Sequence, residues 1–400
     1  MSKIRNISFS PPDISDEEIA EVSNALKSGW ITTGPRTKKF ENLIAEYIGV
    51  NKVVCLNSAT AAMELSLHLL GVAAGDEVIT TAYTYSASAA VIHHVGAKII
   101  LVDTLPDSFE MDYDQMEELI NERTKAIIPV DIAGVVCDYD RIYAAVERKK
   151  HLFNANNARQ ESIGRVTIIS DAAHSFGATR KGQKAGKIAD ITCFSFHAVK
   201  NLTTAEGGAI AWINTFGLGD EGVYKEFMLL SLHGQSKDAL AKAQKGSWEY
   251  DIIYPAFKCN MTDILASIGI KQLERYESLL NRRFELIELY NKYLDNNKFI
   301  VINHKSEQHK SSGHLLLVNI KGYNEIRRNE LISKLAELGI ATNVHYKPLP
   351  MFTAYKNLGF NIHDYPNAYK QYSTEITLPL HTLLSDDDVL YICETLNKNV

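Results

Sequence analysis

FSFHAVKNLTTAEGG (residues 194–208) lies where two apolar runs, 188–196 and 209–213, are joined. The length and composition of both runs are typical of buried strands. The connection between them carries one lysine, Lys200, and no acidic residue follows it before Glu206. Burial disfavours the ammonium form of a lysine, lowers its pKa and turns the amine into a nucleophile.

A nucleophilic lysine can form a Schiff base with a carbonyl group, and pyridoxal phosphate is the commonest carbonyl cofactor that uses one. The competing interpretation of Lys200 is an ordinary exposed lysine in a strand connection. This stretch alone favours the ordinary interpretation, so the choice depends on the rest of the chain.

Composition excludes several classes of protein. The 400 residues suffice for two domains or one large one, and 46% hydrophobic with 22% charged residues is ordinary for a globular protein. A net charge of −6 argues against a nucleic-acid partner. No apolar run approaches the roughly 20 residues of a membrane span, and the N-terminal residues lack a signal-peptide pattern. The five scattered cysteines lack CxxC spacing, which predicts reduced thiols in a cytoplasmic protein and no metal framework.

Strands and helices alternate along the first half of the chain. Strands are predicted at 53–56, 78–81, 98–102, 125–130 and 166–170, with helical patterns between them. This alternation predicts an α/β layer around a mainly parallel sheet. Ligands bind at the carboxyl ends of the strands in such sheets. The residues expected at that edge are Thr60, Tyr85, Asp131, Asp171 and Ser195.

Two strand ends carry residues suited to a phosphorylated cofactor. The first predicted strand runs into NSATAA (57–62) and then a helix, and a helix N-terminus presents free amides and a positive dipole to an anion. An ordinary Ser/Thr cap explains these residues equally well. Asp171 is either a helix cap or a carboxylate that keeps the ring nitrogen of pyridoxal phosphate protonated.

The order of seven motifs resembles the DegT/StrS family of sugar-nucleotide aminotransferases: NSATAA (57–62), GDEVIT (75–80), TAYTYSASA (81–89), SDAAHSFGA (170–178), FSFHAVKN (194–201), TAEGG (204–208) and NMTDILASIGIKQL (260–273). The likeness runs from about residue 14 to the end. It implies the aspartate-aminotransferase fold (PLP fold type I), with a large PLP-binding domain at 1–275 and a smaller α/β domain at 276–400.

The resemblance also implies roles for the pyridoxal phosphate (PLP) site. Lys200 matches the lysine that holds the cofactor covalently and moves the proton, and Asp171 matches the carboxylate at the pyridine nitrogen. His174 stands where the family usually has glutamine and is expected to hydrogen-bond the phenolic oxygen. The remaining matches are Tyr85 on the ring face, Ala59, Thr60 and Ser195 at the phosphate, and Asn260 reaching the phosphate from a neighbouring subunit. A homodimer with shared active sites follows from the last of these.

Substrate contacts are implied more weakly. SGWITTGP (28–35), which contains Thr33 and Gly34, resembles the enzymes that aminate UDP-4-keto sugars. His314, His345 and Tyr346 are the other expected contacts, although histidines such as His314 and His345 more often have structural roles. The substrates implied are L-glutamate and a nucleotide-linked keto sugar, in cell-surface or secondary-metabolite amino-sugar biosynthesis. Two departures affect this region: Pro350 stands where the family often has histidine, and a polar insertion at 151–164 is predicted to be a solvated loop.

Three alternatives remain open from the residues. A PLP-dependent sugar dehydrase carries histidine in place of the lysine, so Lys200 opposes it. A non-catalytic regulator of this fold carries a preceding DNA-binding domain, and only about a dozen residues precede residue 14. A dinucleotide-binding protein needs G-x-G-x-x-G after a strand, which the chain lacks.

Overall fold

The computed structural model describes residues 5–242 and 248–400. Within these ranges no helix is both long and apolar enough to cross a membrane. The helices are α1 (Asp16–Lys27), α2 (Pro35–Ile48), α3 (Ala59–Leu70), α4 (Ala87–His94), α5 (Tyr113–Leu119), α6 (Tyr139–Arg148), α7 (Ala158–Ile163), α8 (Gly219–Ser231), α9 (Ala239–Lys242), α10 (Asp263–Glu274), α11 (Tyr276–Tyr293), α12 (Glu325–Glu337), α13 (Thr353–Asn357), α14 (Pro366–Thr374) and α15 (Asp386–Asn399).

Three sheets are formed by these strands: β1 (Val53–Leu56), β2 (Glu77–Thr81), β3 (Lys98–Val102), β4 (Thr124–Ile128), β5 (Thr167–Asp171), β6 (Thr179–Arg180), β7 (Gln183–Lys184), β8 (Ile191–Ser195), β9 (Gly208–Trp212), β10 (Phe299–Val301), β11 (His309–Lys310), β12 (Leu316–Ile320) and β13 (Glu375–Leu378). The large sheet has the order β1-β9-β8-β5-β4-β2-β3, and the small ones are β10-β12-β13 and β11-β6-β7.

The large sheet is mainly parallel, as predicted. Its strand β9 pairs antiparallel with both neighbours, β1 and β8, whereas the remaining pairs are parallel. Every residue of β1, β2, β4, β5 and β9 is buried, because helices cover both faces of the sheet. This burial explains why the strands read as continuous apolar runs with no polar alternation.

The start of α3 lies beside the start of β9, and this contact requires glycine. A Cβ on Gly208 would lie 2.4 Å from the carbonyl carbon of Ser58 and 2.5 Å from the amide nitrogen of Ala59. Ser58 caps α3 by accepting a hydrogen bond from the Ala61 amide. The second glycine of TAEGG therefore sets how closely the turn at 57–60 approaches the strand that leaves the Lys200 connection.

Helix α11 connects two hydrophobic cores. Its first turns, at Tyr276 and Leu280, pack in the core beneath the large sheet, and Leu286 and Tyr290 pack in the core around the β10-β12-β13 sheet. The N-terminal residue Ile7 is buried in that second core as well. The domain division at residues 275 and 276 stays a prediction.

The prediction of a solvated loop at 151–164 was wrong in part, because the segment is exposed at several residues but is not a simple loop. The segment contains helix α7, and Gln160 is buried within it. Its polar side chains complete hydrogen bonds of the main chain: the Gln160 Nε2–H donates to the Leu70 carbonyl at 3.0 Å, and the Arg159 guanidinium donates to the Leu69 carbonyl at 2.6 Å. These bonds satisfy carbonyl groups at the C-terminal end of α3, which no amide of that helix can reach. The polar composition thus reflects both the capping of α3 and solvent exposure, because His151, Asn154 and Glu161 are exposed.

Candidate active site

One cavity of about 460 Å³ lies at the carboxyl edge of the large sheet. Ten of the residues predicted from the sequence line it together: Ala59, Thr60, Tyr85, Asp171, His174, Ser195, Lys200, His314, His345 and Tyr346. They come from the ends of β1, β2, β5 and β8, as expected for a parallel sheet, and from two later segments of the chain. Thr33, Gly34 and Asn260 do not line this cavity.

Lys200 follows β8 in a turn closed by its own amide, which donates to the His197 carbonyl at 2.9 Å. The side chain lines the cavity and is half-buried. Burial lowers the pKa of Lys200 to about 8, against the opposing attraction of the Asp171 carboxylate. About half of the amine is therefore neutral at pH 8, whereas an ordinary lysine has a pKa of about 10.4.

Asp171 ends β5 and is only 5% exposed. The Ser88 hydroxyl donates to one carboxylate oxygen at 2.7 Å, and the Ala173 amide donates to the other at 3.2 Å. Burial raises the pKa of Asp171, and the two hydrogen bonds and the charge of Lys200 oppose this rise. A buried carboxylate without a cation in direct contact can accept a partner that arrives with a proton or a positive charge.

His174 is neutral, and its tautomer follows from its contacts. Burial lowers its pKa well below the usual value, and the charges of Lys200 and His345 act in the same direction. The Ala133 amide donates to Nδ1 at 3.2 Å, so this nitrogen carries a lone pair and the ring proton lies on Nε2. Nε2 is 3.1 Å from the Tyr346 hydroxyl. His174 thus directs an N–H group into the cavity region shared with Tyr346.

Asp131 supports this arrangement from behind and does not line the cavity. It follows β4 and accepts hydrogen bonds from the Ser175 hydroxyl at 2.6 Å and the Cys137 amide at 3.0 Å. The turn between Asp131 and Cys137 contains Ala133, which has a φ of 57° and whose amide donates to His174. The sequence placed Asp131 at the correct edge of the sheet, but its carboxylate binds protein groups there.

The N-terminus of α3 lies at the cavity. Ser58 uses its side chain to cap the Ala61 amide, so the capping interpretation of this turn is correct. Ala59 and Thr60, the first residues of the helix, line the cavity together with the half-buried Ser195, and their amides have no partner within the helix. The capping and anion-binding interpretations are therefore compatible.

Thr33, Gly34 and Asn260 form a separate cluster. The Asn260 side-chain amide donates to the Thr33 hydroxyl, which donates to the Met261 carbonyl at 2.5 Å. The Gly34 amide donates to Asp263 at 2.8 Å, next to the start of α10. The roles of these three residues at a neighbouring subunit's site or in substrate binding stay predictions.

His314 and His345 line the cavity as neutral rings. His314 is buried, Nδ1 lies 2.9 Å from the Asn201 side-chain oxygen, and burial lowers its pKa well below the usual value. His345 Nδ1 lies 3.0 Å from the Thr377 hydroxyl, and the surrounding protein lowers its pKa to about 4. Both histidines have structural partners on Nδ1, so only Nε2 of each is available to a ligand.

Some residues of the site were missed by sequence reasoning. Ser88 does not line the cavity but donates to Asp171, and its signal was a hydroxyl residue within the motif TAYTYSASA, in the first turn of α4. Phe9, Ser10 and Asn343 line the cavity. No periodicity or motif marks these three, because they reach the cavity from segments far from the strand ends.

The chemistry of these groups fits pyridoxal phosphate. Free amides at a helix N-terminus suit its phosphate, and an amine with a lowered pKa suits its aldehyde. A buried carboxylate suits its protonated ring nitrogen, and a neutral histidine with the proton on Nε2 suits its phenolic oxygen. A cavity of about 460 Å³ falls within the range of cofactor sites, roughly 300–1,000 Å³.

Comparisons with known proteins give a consistent result. Residues 12–397 match the DegT/DnrJ/EryC1/StrS aminotransferase family. A protein described as a sugar aminotransferase, Spr1654 from Streptococcus pneumoniae, solved in its PMP form, is 56% identical, with a TM-score of 0.96 over 98% of this chain and 99% of that one. The same protein has been solved in a PLP form, with a TM-score of 0.95 and 54% identity over 99% of this chain and 98% of that one.

Two curated relatives are also similar over most of their length. The spore coat polysaccharide biosynthesis protein SpsC of Bacillus subtilis is 35% identical over 396 residues, which cover 98% of this chain and 96% of that protein. The UDP-4-amino-4-deoxy-L-arabinose–oxoglutarate aminotransferase of Shewanella sediminis is 36% identical over 343 residues, which cover 84% of this chain and 82% of that protein.

Proposed function

The chain belongs to the DegT/DnrJ/EryC1/StrS aminotransferase family and is a PLP-dependent sugar aminotransferase, and we propose that it carries an amino group from L-glutamate to the 4-keto carbon of a UDP-linked sugar. The observation that carries this proposal is that Lys200 and Asp171 line one cavity. Lys200 supplies an amine with a pKa of about 8, and Asp171 supplies a buried carboxylate. The name of the Shewanella relative supports both the sugar position and the donor pair.

When bound, PLP supplies an aldehyde that accepts the amino group and a ring that takes up electron density. The chain's own groups would hold it in four places. The Ala59 and Thr60 amides and the Ser195 hydroxyl bind the phosphate, and the Asp171 carboxylate holds a proton at the ring nitrogen. The His174 Nε2–H donates to the phenolic oxygen, and the Tyr85 ring covers one face.

Lys200 has two tasks in this proposal. Its neutral amine would hold the cofactor at the aldehyde, and when free the same amine would act as the base and acid that moves a proton at the reacting carbon. A general base works best when its pKa is close to the working pH, and a pKa of about 8 meets that condition. His174 and His314 are neutral and add no charge beside the amine, so the lowered pKa of Lys200 comes from its burial, against the attraction of Asp171.

A half-reaction screen tests the donor and the acceptor separately. The cofactor-loaded protein is mixed with L-glutamate until its absorbance band is lost and 2-oxoglutarate is released. It is then challenged with UDP-, GDP- and dTDP-linked 4-keto and 3-keto sugars. We expect the band to recover with a UDP-linked 4-keto sugar. Recovery only with 3-keto sugars, or only with another nucleotide, would contradict the finer assignment and leave the family assignment intact.

Cofactor uptake should depend on pH through Lys200. Its folded-state pKa is lowered to about 8, so the reactive neutral amine increases as pH rises and levels off above that value. We expect the rate of PLP capture by cofactor-free protein to rise between pH 6 and 8 and to reach a plateau near pH 9. Stopped-flow absorbance measures this rate, with Lys200→Arg as the blank for surface lysines. A midpoint near pH 10 would contradict the assignment.

We extend the proposal to a homodimer in the cytoplasm. Asn260 and Thr33 lie together outside the cavity of their own chain, and the exposed apolar residues Ile31 and Phe257 are close to them in sequence. Such residues favour a covered surface. All five cysteines are free, which suits a reducing compartment. Sedimentation velocity should give a dimer mass at micromolar concentration, and a fully active monomer would contradict shared sites.

A further inference from the structure

The N-terminal residues 7–13, which we call the strap, cross one side of the active-site cavity and are fixed at both ends. At the first end, Ile7 pairs with the backbone that follows α12. Its amide donates to the Gly339 carbonyl at 2.8 Å, and its carbonyl accepts from the Ala341 amide at 3.0 Å. At the other end the Asp13 carboxylate binds Arg275 at 2.9 Å and the Thr382 hydroxyl at 2.5 Å.

Between these anchors Phe9 and Ser10 line the cavity. The Phe9 ring stacks on the His345 ring with centroids 5.7 Å apart and planes 16° apart. Ser10 Oγ lies 3.4 Å from the carbonyl oxygen of Val199, the residue before Lys200. The strap therefore touches a histidine of the C-terminal half and the connection that carries the reactive lysine.

The exposures of the lining residues give the cavity a floor and a rim. Asp171, His174 and His314 are buried and form the floor. Phe9 and Ser10 are partly exposed, and Val199 and Tyr85 are exposed, at 40% and 63%. Phe9 and Ser10 therefore belong to the rim, which a ligand too long for the floor would reach.

We propose that the strap is the acceptor-side wall of this cavity and that Phe9 is a specificity-determining residue for the nucleotide-linked sugar. The inference rests on the proposed function, because it needs one small and one large substrate to share the same floor. An amino-acid donor has about ten non-hydrogen atoms, whereas a nucleotide-linked sugar has several times as many. Both must place their reacting carbon beside Lys200, so only the larger one reaches a wall built at the rim.

The Phe9–His345 pair has suitable chemistry for this task. Phe9 is half-buried and packs in the cluster that contains Ile132 and Leu315, and its side chain is an entirely apolar aromatic ring. The carbon-bound face of a sugar ring is apolar and packs on such surfaces. His345 is held from below by Thr377 and by its own amide, which donates to Glu375 at 3.0 Å, so the stacked pair has a fixed base.

The test compares the two half-reactions in Phe9→Ala, Phe9→Leu and Phe352→Ala. Phe352 is an exposed phenylalanine outside the cavity and serves as the matched control. For Phe9→Ala we expect the KM of the keto sugar to rise about tenfold or more, the size of effect that a lost apolar contact produces. The rate and KM of the glutamate half-reaction should stay within about twofold. Phe9→Leu, which keeps apolar volume, should fall between wild type and Phe9→Ala.

Equal losses in both half-reactions, or an unchanged KM for the keto sugar, would overturn the inference. If Phe9→Ala does not fold, Phe9→Leu is judged in the same way, by the change in KM for the keto sugar relative to the change in KM for glutamate. A second measurement uses wild-type protein: hydrogen exchange at the strap amides should slow with a UDP-linked sugar and not with glutamate. Failure of the proposed function appears differently, because wild type would then accept no UDP-linked keto sugar and the strap would be examined with whichever acceptor the screen identifies.

Discussion

Replacement of Lys200 by alanine is expected to reduce turnover by at least about 10⁴-fold and to remove the absorbance band of the lysine–cofactor linkage. The alanine side chain can neither bond the aldehyde nor carry a proton. Lys200 has the lowered pKa that both tasks require, and His174, His314 and His345 are neutral rings fixed by other partners. Absorbance spectra and steady-state rates with L-glutamate and the acceptor from the screen measure the two effects.

Two further variants separate chemistry from charge and folding. Lys200→Arg keeps a positive charge, but its guanidinium does not deprotonate, so it should be as inactive as Lys200→Ala. Lys187→Ala removes an exposed lysine of the same region that does not line the cavity, and it should retain wild-type rates. Turnover and the absorbance band persisting together in Lys200→Ala would refute the assignment of this lysine.

Sequence reasoning succeeded where function is attached to a strand end. Asp171 ends β5, Ser195 ends β8 and Lys200 follows β8. All three line the cavity, as expected from the rule that ligands bind at the carboxyl ends of parallel strands. Apolar runs defined these strands clearly, because both faces of the sheet are covered. The resemblance to a family supplied the cofactor, which composition and spacing alone left open.

The rest of the site depends on long-range packing. The strap reaches the cavity because Ile7 pairs with the backbone at 339–341, a contact across more than 300 residues that no local pattern indicates. The tautomer of His174 depends on a backbone amide at Ala133, which only the folded turn positions. The insertion at 151–164 was misjudged for a related reason, since the side chains of Gln160 and Arg159 bind carbonyl groups at the end of a helix distant in sequence.

Asp171→Asn is expected to lower kcat by about 10²–10³-fold, the loss typical of one preorganised electrostatic contact. A neutral amide cannot hold a proton at the ring nitrogen. The local hydrogen bonds should survive, because Ser88 Oγ can accept from the new amide and donate to Thr84 Oγ1, which lies 2.8 Å away. The glutamate half-reaction measures the effect directly, since it does not depend on the identity of the acceptor.

The same variant should stabilise the cofactor-free protein. Burial raises the folded-state pKa of Asp171, so the folded protein holds this proton more tightly than the unfolded chain does. The free energy of unfolding then falls as pH rises from the unfolded pKa through the raised folded pKa, and asparagine removes this loss. Thermal melts of cofactor-free protein at pH 7 should show a higher Tm for Asp171→Asn than for wild type.

Asp190→Asn is the matched control with the opposite pattern. Asp190 is also a buried aspartate beside β8, but it receives two hydrogen bonds of 2.8 Å from Arg165 and one of 2.9 Å from the Ile168 amide, away from the cavity. Breaking such a pair should cost about 3 kcal/mol of stability and leave the activity of the folded protein unchanged. An Asp171→Asn protein that lost both stability and activity would show that this carboxylate holds the fold, and its assignment to the cofactor would fail.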